Sequence, residues 1–115
     1  MAPRTLFEAL PDLVRDLEGA LISIGRGAVA DQLREVELVR WTYDDFANAG
    51  NLYVKSQGAS NVVDPYVTGA RRGETLCPSD DLAINLDLDS HGRLVSIELL
   101  DAKAIISELE KRVAE

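Results

Sequence analysis

Asp87, Asp89, His91, Gly92 and Glu98 stand at the spacing of an EF-hand calcium loop, with histidine where aspartate or asparagine is usual. Such a loop must bring its last carboxylate back to within about 2.5 Å of the ion. The intervening residues oppose this, because Arg93–Leu99 alternate as an extended strand that, at about 3.3 Å per residue, carries Glu98 roughly 20 Å from the turn. The run reads instead as a hairpin bend carrying solvated acids.

His91 is the only histidine and Cys77 the only cysteine. Neither a two-histidine metal site nor a structural zinc site can be assembled from them. A Cys77–His91 nucleophilic pair would need surroundings that favour the thiolate, and no motif around either residue supplies them. Carboxylates are plentiful in Asp44, Asp45, Asp87, Asp89, Glu98 and Asp101. Acid–base catalysis requires one of them to be desolvated until its pKa approaches the working pH, whereas Asp44 fits a turn and Asp101 a helix N-cap. No catalytic residue, metal or cofactor is assigned. Arg71 and Arg72 form a basic pair suited to a carboxylate or phosphate. With Tyr53 and Tyr66 they make up the candidate binding set.

The elements that would position these groups are legible in part. Thr5 and Glu8 have capping-box spacing, and Pro11 suits the first turn of a second helix. Leu13, Val14, Leu17, Leu21 and Ile24 then recur on one helical face, and Gly25 and Gly27 read as its stop. Ala28–Leu33 adds a short helical turn. Period two follows, with Val39, Trp41 and Tyr43 on one side and Leu38, Arg40 and Thr42 on the other. Asp44, Asp45, Asn48, Gly50 and Asn51 form a reversal into a strand over Leu52–Ser56. Residues 57–81 show no sustained period and read as a long loop. Leu82, Ile84, Leu86 and Leu88, the turn Asp89–Gly92, and Val95, Ile97 and Leu99 make a hairpin. Ala102, Ile105, Ile106, Leu109 and Val113 line one face of a closing helix, with Lys111 and Arg112 at its negative end.

The predicted fold is α+β: a small, mainly antiparallel sheet of about four strands with an N-terminal and a C-terminal helix packed on it. It is organised as a helical segment over 1–34, a β core over 36–104 and a closing helix over 102–114. At 115 residues and 46% hydrophobic, the chain has material for one core. Its net charge of −8, from 20 acids against 12 bases, opposes nucleic acid and anionic membranes as partners. A single thiol and the lack of a long apolar run point to the cytoplasm.

The run Leu86-Asp87-Leu88-Asp89-Ser90-His91-Gly92-Arg93-Leu94-Val95-Ser96-Ile97-Glu98-Leu99-Leu100-Asp101-Ala102 resembles the signature of the family called domain of unknown function 2283. Tyr43-Asp44 followed by Leu52-Tyr53-Val54 resembles that family's tyrosine-aspartate turn and leucine-tyrosine strand. The likeness covers roughly residues 38 to 104, with a longer turn at Ala49-Gly50-Asn51 and with Ser96 where the family has glycine. It implies an antiparallel sheet carrying the closing helix, in small bacterial and archaeal proteins that often look like partners of small neighbouring proteins. It brings no established catalytic or binding residue.

The functional expectation is a non-enzymatic interaction or regulatory domain that binds another small protein or, first of all, a second copy of itself as a homodimer. The alternative is a small-molecule binding protein or weak hydrolase in which residues 57–81 close as a lid over Tyr53, Tyr66, Arg71 and Arg72.

Overall fold

The computed structural model describes residues 4–56 and 72–114. Its first helix, α1 (Leu6–Ala9), is held by the reciprocal cap that its sequence encodes. The Thr5 hydroxyl accepts from the Glu8 amide at 3.1 Å, and the Glu8 carboxylate reaches back to the Thr5 amide at 3.4 Å. Pro11 then occupies the first turn of α2 (Pro11–Ser23), where a missing N–H leaves no helical bond unmade. Val14, Leu17 and Leu21 of this helix are buried, while Ile24 lies past its end and is exposed.

Gly25 stops α2 by taking a φ of +78°, which lets the Arg26 amide bond back to Leu21 O at 2.8 Å and its own amide to Ile22 O at 3.1 Å. Gly27 has the opposite role to the one expected from sequence, for it opens α3 (Gly27–Glu35). That helix is longer than the short turn read over Ala28–Leu33, because Val29, Ala30 and Leu33 all find the core.

The sheet comprises β1 (Arg4–Thr5), β2 (Val36–Asp44), β3 (Ala49–Ser56), β4 (Arg72–Leu76), β5 (Ile84–Asp89) and β6 (Leu94–Leu99). Their order is β1-β2-β3-β6-β5-β4, and every neighbouring pair is antiparallel. Five strands carry the sheet, and the two-residue β1 adds only to one end of β2. With α4 (Lys103–Ala114) closing the chain, the fold is α+β, with N-terminal helices and a C-terminal helix on an antiparallel sheet. Leu52, Leu86, Ile97 and Leu99 from the strands join Leu17, Leu33 and Leu109 from the helices in one cluster. No helix among the described residues is long and apolar enough to cross a membrane.

The extra strand, β4, falls inside the stretch expected to be loop. Arg-Gly-Glu-Thr-Leu has no apolar alternation, so this strand exists because β5 offers backbone donors and acceptors that need a partner. Leu82 belongs to a 3-10 turn over Asp80–Leu82, so the hairpin begins at Ile84.

Two irregularities reassign the inward faces read from strict alternation. The register shifts between Leu38 and Arg40, which sends Leu38 into the core and leaves Val39 at the surface. A second shift between Asp87 and Leu88 sets Leu94 opposite Leu88, inside.

Candidate functional site

Of the candidate binding residues, Tyr53 alone has a described side chain. It is half-buried on the sheet face away from the helices, opposite Ser96, with the Arg40 guanidinium 4.0 Å from its ring centre. Tyr66, Arg71 and the Arg72 side chain lie outside the described residues, as does most of the proposed lid. Cys77 and His91 are both exposed and lie toward opposite ends of β5, because Leu76 pairs with Leu86 while His91 follows Asp89. No group of three or more His, Cys, Asp or Glu among the described residues is placed to hold a metal ion.

The hairpin acids are not solvated, contrary to the reading of the bend. Asp87 and Asp89 are 6% and 7% exposed. Asp87 accepts from Ser96 Oγ at 2.9 Å and Thr75 Oγ1 at 2.8 Å, two hydroxyls that alternation on β6 and β4 aims at it. Glu98 accepts from Asn85 Nδ2 at 3.0 Å across the β5–β6 pair, so it is turned along the sheet and away from the bend.

Asp89 organises the turn itself. Its Oδ1 accepts from the amides of His91 at 2.8 Å and Arg93 at 2.9 Å, and its Oδ2 from Arg93 Nε at 2.9 Å. Burial pushes this carboxyl's pKa up, but the two amides and the Arg93 guanidinium outweigh burial and leave it below the ordinary value. A general acid needs a shift in the other direction. Asp89 therefore holds backbone together, with α3 assisting from the side. Gln32 donates from Nε2 to Gly92 O at 2.8 Å and accepts from the Leu94 amide at 2.8 Å.

At the other end of the sheet, Asp44 Oδ1 caps the β2–β3 turn by accepting from the amides of Phe46 at 3.0 Å and Ala47 at 3.3 Å. Asn48 follows with a φ of +52°. Its Oδ1 accepts from the Lys103 amide at 2.9 Å and the Tyr43 hydroxyl at 3.2 Å, its Nδ2 donates to Asp101 at 2.7 Å, and its carbonyl accepts from the Ala102 amide at 3.1 Å. Asn48 thus caps α4 from a distant turn. Asp101, expected to be that cap, lies one residue too early and takes the asparagine amide instead. Between this turn and α4 runs an open cleft of about 500 Å³, lined by Tyr43, Asp45, Asn48, Lys103, Ile106 and Glu110 among others.

The side of β2 away from β3 carries the most distinctive surface. β1 covers only Glu37 and Leu38, so no described strand lies beside Val39–Asp44. Val39 and Tyr43 are exposed there, and Phe46 at the adjoining turn is 99% exposed. A strand edge with apolar side chains around it is a template for pairing with another chain. The sequence does not mark this edge, because the shortness of β1 leaves no trace on β2. Phe46, a large apolar residue among turn formers, is the signal that could have found it. No protein-family model matches the chain, and no curated protein or solved structure matches it either.

Proposed function

We propose that this chain is a non-enzymatic protein-interaction or regulatory domain that works by self-association. One observation carries the reading: Val39–Asp44 form a strand edge with no described neighbour, beside the exposed Tyr43 and Phe46. Natural sheets guard such edges with lysine, proline or irregular backbone. Here the irregularity at Val39 guards only the end next to β1. Asp44 and Asp89, by contrast, are engaged in hydrogen bonds that build turns. Sedimentation equilibrium from micromolar to millimolar protein tests the reading. A concentration-dependent dimer is expected. A monomer throughout, with no protein co-purifying from the native host, contradicts it.

Membership of the domain of unknown function 2283 family belongs to the same proposal. It rests on Tyr43-Asp44, Leu52-Tyr53-Val54 and the run from Leu86 to Ala102.

The second reading is a small-molecule binding protein or weak hydrolase. The observation in its favour is the cleft beside α4, where Lys103 and Glu110 offer charges of both signs next to Tyr43. A ligand that prefers the folded state raises the melting temperature by mass action. A thermal-shift screen of metabolites and metal ions that raises it, with the effect lost in Lys103→Ala, would favour this reading over the first.

A further inference from the structure

We propose that β2 pairs antiparallel with β2 of a second copy about a two-fold axis at Thr42, joining the two sheets into one. The proposal rests on the self-association reading and names the surface, partner and register that serve it.

Three observations select this arrangement. The first is charge. In a two-fold antiparallel pair centred on residue 42, positions whose numbers sum to 84 stand opposite each other. Arg40 then faces Asp44 of the second copy, twice over, and Trp41 faces Tyr43, also twice. Opposite residues in such a ladder share a sheet face, so the ion pairs form on the outer face and the aromatic pairs on the helix side. Moving the axis to residue 41 or 43 sets Arg40 against Thr42 or Phe46 and loses both ion pairs. Two copies of a chain of net charge −8 repel at long range, so an edge that meets itself with matched charge gives this contact an advantage over others.

The second observation is length. β1 already occupies the edge at Glu37 and Leu38, and the register shift follows immediately. A ladder over residues 40–44 uses the edge that remains and stops short of β1. The third is the alternative. The opposite edge of the described sheet, β4, paired with itself about its central residue would set Glu74 against Glu74 of the second copy. Like charges directly opposite destabilise a sheet.

The register is tested by disulfide trapping in a Cys77→Ser background, which removes the native thiol. Directly opposed residues have Cα atoms about 4.5–5.5 Å apart, within disulfide range, so Thr42→Cys should cross-link to its own copy under mild oxidation. Tyr43→Cys should not, because its two copies are offset by two residues and lie about 8 Å apart. Charge exchange provides the second test, with folding checked by circular dichroism. Arg40→Glu or Asp44→Lys alone should weaken dimerisation about ten-fold or more, and the double variant should recover most of it, as coupled neighbours do. Cross-linking at Thr42 with recovery in the double variant supports the register. A stable dimer that shows neither overturns it while leaving self-association in place. A monomer at every concentration overturns both.

Discussion

At the scale of single residues, the fold leans on side chains that complete backbone left open elsewhere. Asn48 is the clearest case, since one amide serves the β2–β3 turn, the start of α4 and Asp101 together. Asn48→Ala removes those bonds and places a Cβ residue without local side-chain support at a φ of +52°. A loss of about 1–3 kcal/mol in urea denaturation is expected. Asn48→Gly should recover only the backbone share of that loss, because glycine accepts the conformation but caps nothing. Full recovery by glycine would show that the cap contributes nothing.

Asp89 sets a pH dependence whose sign follows from its pKa. The folded value lies below the unfolded one, so the stability it contributes is fully present above the unfolded value. It is lost as pH falls through the folded value. The native chain should therefore show stability rising with pH through the acid range. Asp89→Asn should be less stable at neutral pH and show a shallower acid slope. An unchanged slope in thermal melts would remove Asp89 as its source.

At the scale of elements, most helices and the hairpin were readable because their signals are local. Thr5 with Glu8, Pro11 and Gly25 each act within a turn of where they stand in sequence, and the structure uses each as its chemistry suggests. What could not be read was set by partners far away in the chain. β4 forms on β5, Leu38 and Leu94 turn inward through register shifts, and the cap of α4 comes from Asn48, 55 residues before the amide it receives. Of the candidate binding residues, Tyr66, Arg71 and Arg72 belong to the stretch without a sustained period, and only Tyr53, on β3, has a described side chain. Gln32 shows the same non-local logic, for it ties α3 to the Gly92 and Leu94 backbone across 60 and 62 residues. Gln32→Leu should cost about 1–3 kcal/mol in chemical denaturation and speed amide exchange at Leu94, because two partners lose their bonds. Gly50 is a further position fixed by packing: a Cβ there would lie 2.7 Å from Thr42 O and against Ala102, just before α4, and Ile106 within it. Gly50→Ala is expected to destabilise the chain by forcing β2 away from β3, with a lowered melting temperature as the readout.

At the scale of the whole molecule, one sheet face is covered by helices and the opposite face is satisfied by its own hydrogen bonds. No buried side-chain donor or acceptor among the described residues lacks a partner. Among the described residues, the edge at Val39–Asp44 has no neighbouring strand. Pairing there would extend a five-strand sheet through a second copy, cover part of the apolar surface around Val39, and leave the turn with Phe46 close to the partner. Binding at an open strand needs backbone and shape before it needs reactive side chains.

Hydrogen exchange measured residue by residue at dilute and concentrated protein tests that central claim most directly. Amides of Val39–Asp44 that face away from β3 should exchange more slowly as concentration rises, while those on the outer side of β4 remain unchanged. Equal exchange at the β2 edge across all concentrations, or protection that grows at β4 instead, would contradict it.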